Sequence, residues 1–464
     1  MSIGRVGAWV VLAALGALVA IVVPELGSDP WPFEPASVRP HGVFGPLVRA
    51  AGRHWDLGFV RTPGVVAGLA VAIVALLEWR GVAWHRYPAW RRRILAGLVL
   101  VVAVALLVPA VLLQVGLRQA TEPWYYDNDS TYQIEIAGDL IRHGHDPYGR
   151  DYTGTGLERW YPAAGFPVGR RQVALHHLAY FPGTPLTAAA WGVLPQPIDD
   201  YRFFVLLCTL ALFGAALAFR APLTLRLALG AVAVANPLAV RAVWFGTADA
   251  PSLLCLLLAF ALLSRRRLVW ASLALGVAVL LKQFALVAVP FFALMLLAPR
   301  PSRAVLRNAA IAFAAPLAVG IVPFLVADPG GLWRDTVAYG GSTYRIIGYG
   351  LSSLFLKAGI VDDRYGSYPF VWLLVLLWLP VTAWLLWHQR RSPRLWTGAA
   401  GFAVSMFLLL FISRVFQTSY FVWPLIGMLA AGLLANPDDE HGGAPADVAG
   451  QIDRRELEPV TTRS

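Results

Sequence analysis

Asp127 and Asp129 stand two residues apart in the stretch 124–152, WYYDNDSTYQIEIAGDLIRHGHDPYGRDY, with Glu135, Asp139, Asp146 and Asp151 close behind. Carboxylates can take a proton from a hydroxyl when their surroundings keep them basic. An Asp-Asn-Asp triplet also resembles part of a divalent-cation site, but no His or further acid is placed in sequence to complete it. Helix N-capping competes with both readings, although one cap needs only one of the two acids. No cofactor is therefore expected, with a divalent metal at the triplet as the lesser alternative.

The elements that must position these acids are membrane helices. Hydrophobic residues make up 58% of the 464-residue chain, and its mean hydropathy is +0.61. Apolar runs recur near 6–23, 63–79, 94–116, 201–219, 223–240, 249–264, 309–327, 368–388, 396–413 and 419–435. The stretch 268–299 is broken by Lys282-Gln283 and reads as two short helices meeting at the outer surface. The class expected is all-α: a polytopic membrane protein with about 12 transmembrane helices. The first run carries no small-residue cleavage site and reads as a retained helix. The stretch 183–193 is apolar but too short to span, and is read as a re-entrant or juxtamembrane helix.

Charge sets the sidedness. The formal net charge is +11, with arginines clustered at 80–93, 220–226, 265–267, 300–307 and 390–394. Basic groups in short loops between apolar spans mark the inner side, and no basic stripe or binding motif supports nucleic acid as a partner. Regions 24–62, 117–200, 241–249 and 328–367 then fall outside, giving a cell-membrane, multi-pass protein with its acid-rich loop external. The organisation reads as N-terminal helices (1–93), a catalytic membrane module (94–300) with external loop 117–200, C-terminal helices (301–436) with external loop 328–367, and a disordered cytoplasmic tail (437–464). Cys208 and Cys255 fall inside apolar spans and read as packing residues.

Within the first loop, TYQIEIAGDLIRHG has Ile134, Ala137, Leu140 and Ile141 on one face at helical spacing, with Gly144 as its terminator. Such a helix is expected to lie on the membrane surface and to hold Asp129 near the headgroups. His176 and His177 are adjacent, so they cannot point the same way; substrate hydrogen bonding competes with a plain loop role. Arg170 and Arg171 would sit outside, against the charge rule, and suit contact with an anionic lipid or acceptor. Trp333 and Tyr344 in the second loop could stack on sugar rings, although the aromatic belt at the interface is the favoured explanation of such residues.

Asp129, Tyr132, Gly144, Pro147 and Tyr148, followed by YFPGTPL at 180–186, resemble the first external loop of GT-C superfamily glycosyltransferases. Among these the bacterial polyprenyl-phosphate-mannose-dependent mannosyltransferases are most similar. WFGTAD at 244–249 stands where such proteins often carry Gly-Gln, and Lys282-Gln283 where they often carry Lys-Pro. Thr247 replaces that Gln and Gln283 that Pro, departures that bear on the sugar more than on the fold.

The resemblance implies a GT-C-like fold and an inverting transfer from a polyprenyl-phosphate sugar, mannose first, to a lipid or glycan acceptor of the cell envelope. Asp129, or Asp127 in its place, would be the base. Lys282, Arg241 and Arg345 would meet the leaving phosphate, and Tyr132, Tyr148, His176, His177 and Tyr344 would bind substrate. Snorkelling to the headgroups competes for Lys282, and interfacial anchoring for Arg241, with which Asp249 could pair. A transporter or lipid-linked-sugar flippase is the alternative; it would place charge at mid-helix, where this chain has almost none.

Overall fold

The computed structural model describes residues 3–25, 41–52, 57–79, 88–121, 129–159, 175–244, 246–338 and 345–437. Asp127, Arg170, Arg171, Tyr344 and nearly all of the expected tail (438–464) lie outside the described residues. Helix dominates, as expected. The paired strands among the described residues amount to a two-residue parallel bridge, Ile347 with Val415 and Gly348 with Phe416.

The N-terminal group comprises α1 (Ile3–Glu25), α2 (Gly45–Gly52), α3 (Leu57–Trp79) and α4 (Pro88–Thr121). Helix α5 (Asp129–Arg142) and the short α6 (Gly183–Trp191) build a polar cap. Then come α7 (Tyr201–Leu217), α8 (Leu223–Ala235), α9 (Pro237–Trp244), α10 (Ala250–Ser264), α11 (Leu268–Leu281) and α12 (Val289–Leu297). The last group is α13 (Arg303–Ala327), α14 (Phe370–Arg391), α15 (Leu395–Ile412) and α16 (Val422–Ala435).

Among the described residues, five stretches are long and apolar enough to cross a bilayer: Ala96–Gln119, Arg303–Ala327, Phe370–Arg391, Leu395–Ile412 and Thr418–Ala435. The bent pair α8/α9 makes a sixth if counted as one span. The apolar segments Gly7–Val19 of α1 and Thr62–Leu77 of α3 are shorter, as is α10 with its 15 residues. At 1.5 Å per residue such a helix reaches only about 22 Å, against a hydrocarbon core of about 30 Å. By this measure five or six spans stand where about twelve are expected from sequence. Helices α13 and α14 are the least covered, with apolar windows only 11% and 6% buried inside protein. Val319, Val326, Trp372 and Leu376 are largely exposed, as lipid-facing side chains of a membrane helix would be.

Two breaks shape the region below the cap. Pro237 brings no N–H to continue α8, so the chain bends 43° and restarts as α9, with the Asn236 Oδ1 accepting the Ala239 N–H. Arg241 sits in the last turn of α9. Between α11 and α12, Lys282 is extended (φ −152°, ψ 127°) and opens a 3₁₀ turn, Gln283–Ala288. The sequence predicts this break, and the side chains around it secure it: the Thr184 hydroxyl donates to the Leu281 carbonyl, and the Gln283 amide to the Ala179 carbonyl at 2.7 Å.

Helix α5 forms where its spacing predicts, and Gly144 takes the left-handed conformation (φ +75°) that ends it. Its apolar stripe does not face lipid, which corrects the surface-helix expectation. Ile134 and Ala137 are fully buried, Ile134 against Ala188 and Tyr201, Ala137 in a second cluster with Tyr148, Tyr152, Leu178 and Leu332. The helix α6 covers the face that sequence alone assigns to the bilayer.

Candidate functional site

Asp129 opens α5, half-buried, and one of its oxygens accepts the Ser130 N–H at 2.8 Å. The first turn is docked by Thr131, whose buried hydroxyl donates to the Gly246 carbonyl in the loop after α9. Gly246 has φ +64°, and a Cβ there would meet the Thr131 hydroxyl at 3.0 Å and the Arg202 side chain at 3.3 Å. Only glycine allows this approach comfortably. One turn further along α5, the Gln133 amide donates to the His177 carbonyl at 2.9 Å.

A charge network holds the next turn. Arg118, at the end of α4, contacts Glu135 at 2.6 Å and Asp200 at 3.0 Å. Asp200 also receives two hydrogen bonds from the Arg202 guanidinium, at 2.6 and 2.8 Å, and caps α7 by accepting the Arg202 N–H. Burial would push the Asp200 carboxyl up, but Arg202 and Arg118 hold it well below the usual carboxylate range. Glu135 closes the circuit by accepting the Tyr201 N–H at 2.8 Å. None of Arg118, Asp200 and Arg202 stands out in the sequence, because their partners are up to 82 positions away.

Three residues on from Gly246, Asp249 meets Lys282. The Lys282 ammonium is in direct contact with Asp249 Oδ1, which also accepts the Trp423 indole N–H at 3.0 Å. Lys282 is buried over three aromatic rings: Phe284 at 5.1 Å, Tyr180 at 5.5 Å and Tyr420 at 5.8 Å. The pairing of Asp249 with the neighbouring Arg241, open in the sequence, gives way to Lys282. Gly246 and Asp249 are three residues apart, so their Cα atoms lie within about 11 Å. One short loop thus links the turn bearing Asp129, the helix bearing Arg241 and the Lys282 pair.

The remaining predicted residues divide. The Tyr132 hydroxyl donates to the Thr155 carbonyl at 3.1 Å, and the Arg118 guanidinium lies 5.7 Å from its ring. Tyr148 is buried and donates to the Tyr180 carbonyl at 2.8 Å; burial pushes its phenol well above the ordinary value. Both hydroxyls serve the cap. His176 lies 3.4 Å from Asp151, and His177 Nδ1 3.2 Å from Asp335 Oδ1. Asp335 sits in a π-helical turn, Arg334–Ala338, and its other oxygen accepts the Gly149 N–H at 2.8 Å. Sequence reading misses Asp335, 158 positions from its histidine. Arg345 precedes the parallel bridge that ties its segment to 415–416, upstream of Tyr420. Among the described residues no group of three or more His, Cys, Asp or Glu is placed to hold a metal ion.

Residues 178–413, just over half of the chain, match the family model described as glycosyltransferase family 87. No curated protein and no solved structure matches the chain. The matched stretch contains Tyr180, Arg241, Asp249, Lys282 and Asp335, and Asp129 lies ahead of it. A sugar donor and a sugar acceptor are therefore the partners of this apolar, helix-rich chain, and the transporter alternative falls away. The chain belongs to glycosyltransferase family 87.

Proposed function

We propose that this glycosyltransferase moves a sugar, mannose first among the options, from a polyprenyl phosphate to a cell-envelope lipid or glycan on the outer face of the membrane. The observation that carries the reading is the Thr131–Gly246 hydrogen bond, which docks the turn bearing Asp129 on the loop between Arg241 and Asp249. An acid and a cation then flank one short loop at the end of apolar helices, where a lipid-borne phosphate would enter. In this reading Asp129, or Asp127 in its place, takes the proton of the acceptor hydroxyl. The hydroxyl oxygen attacks the anomeric carbon from the face opposite the phosphate. The bond from that carbon to the phosphate oxygen breaks, the electron pair leaves with the lipid phosphate, and the sugar inverts.

The leaving phosphate gains negative charge and needs a cation. Asp249 already balances Lys282, so Arg241 takes that task, with Arg345 as the cation of the second segment. His176 and His177, with Tyr344, fall to the acceptor side. The backbone carbonyl of His177 is tied to α5, while its ring is held by Asp335.

The test is donor dependence. Washed membranes containing the protein should transfer label from polyprenyl-phosphate-mannose with no nucleotide present. Transfer that requires a nucleotide sugar, in membranes unable to make the lipid donor, would overturn the donor assignment.

A further inference from the structure

We infer that Lys282 and Asp249 form a positioning pair, a neutral keystone that assembles the site, and that Lys282 does not hold the donor phosphate. The inference rests on the reading of this loop as the transfer site and deepens it. Three observations converge. The side chains of Lys282 and Asp249 are 9% and 3% exposed, so neither has bulk water to fall back on. Among the described residues the carboxylate has no second cation: Oδ1 takes Lys282 and the Trp423 N–H, and Oδ2 accepts no hydrogen bond. Each charge is therefore the other's main compensation.

The rings around the ammonium come from separate segments of the chain: Tyr180 ahead of α6, Phe284 in the 3₁₀ turn after α11, and Tyr420 ahead of α16. Phe284 packs edge-on against both Tyr420 and Trp423, at 5.6 Å in each case. A cation boxed this way joins segments that lie far apart in sequence, and through Asp249 it fixes the loop that carries Gly246. A phosphate-binding lysine needs its ammonium turned toward the ligand. This one is turned onto Asp249 and boxed by three rings, with its side chain only 9% exposed.

The two roles separate in charge-deletion variants. Removing one member leaves a buried charge unbalanced, whereas removing both leaves an apolar pair of similar volume, which buried sites commonly tolerate. We expect Lys282→Met and Asp249→Leu each to lower transfer by roughly tenfold or more, and the double variant to recover most of that loss. The recovery should appear in kcat, with the KM for polyprenyl-phosphate-mannose near wild type throughout. If the double variant stays as inactive as Lys282→Met and the donor KM rises in both, Lys282 holds phosphate and the inference fails.

A second measurement needs neither activity nor a mutant. Lys282 and Lys357 are the only lysines of the chain, and Lys357 is exposed. Acylation of the native protein followed by mass spectrometry should modify Lys357 and leave Lys282 untouched, with or without polyprenyl phosphate. Rapid modification of Lys282 that polyprenyl phosphate suppresses would overturn the inference while leaving the glycosyltransferase reading intact.

Discussion

Burial pushes the carboxyl of Asp335 above its ordinary value, and burial with the nearby charges of Asp328 and Asp335 does the same for Asp146. The Tyr148 N–H and Arg150 pull Asp146 the other way without cancelling the rise. A carboxyl whose folded value is raised contributes stability that is fully present below its unfolded value of 3.8 and is lost as pH rises through the folded value. Once the pH is above those raised values, the cap carries the cost of ionising acids that burial disfavours. Asp146→Asn keeps an oxygen for the Tyr148 N–H and removes one charge. It should raise the melting temperature at pH 7, with the gain shrinking as pH falls toward 4; a loss of stability at pH 7 would contradict the assignment. Arg202 makes the opposite case, since its side chain and that of Asp200 are 1% and 4% exposed and closely paired. Arg202→Met should destabilise by about 3 kcal/mol, lessened by whatever Arg118 still supplies, as followed by thermal unfolding in detergent.

At the scale of elements, the docking of α5 is the point on which the site turns. Thr131 is fully buried, so Thr131→Val leaves the Gly246 carbonyl unpaired at a cost of about 1–3 kcal/mol. The expected result is a fall in kcat with little change in donor KM, because the acid turn loosens while Arg241 stays on its own helix. An unchanged kcat would mean that this contact does not position the acid. Much of this layer is legible in the sequence. The spacing of Ile134, Ala137 and Leu140 marks α5, Gly144 marks its end, and the interruption at Lys282 marks the break after α11. Each of these signals is local, set by backbone preference or the period of a helix. What covers a face or balances a charge is not local. The stripe of α5 looks the same whether lipid or α6 lies beneath it, and Asp249 reads beside the nearby Arg241, not beside Lys282, until the chain folds. Burial of both Asp249 and Lys282 behind aromatic rings, set by Tyr420 and Trp423 far downstream, decides between them.

For the whole molecule, a membrane-embedded body of helices carries a cap with apolar cores of its own, joined to the body through Phe324, Tyr180 and Tyr201. On the proposed reading, the distribution of arginines would put that cap outside. The sidedness is open to direct test: in a background lacking Cys208 and Cys255, His145→Cys should react with an impermeant maleimide on intact cells, and Arg303→Cys only after permeabilisation. The reverse pattern would put the cap inside and remove the outer-face donor from the account. The central claim remains that the loop carboxylate is the base. The most direct measurement is the rate of transfer from polyprenyl-phosphate-mannose by wild type, Asp129→Asn and Asp127→Asn at equal expression. The account expects one of the two substitutions to abolish transfer while the donor still binds, with Asp129 the first choice. Full transfer by both variants would contradict it, leaving the acids of this loop a structural role only.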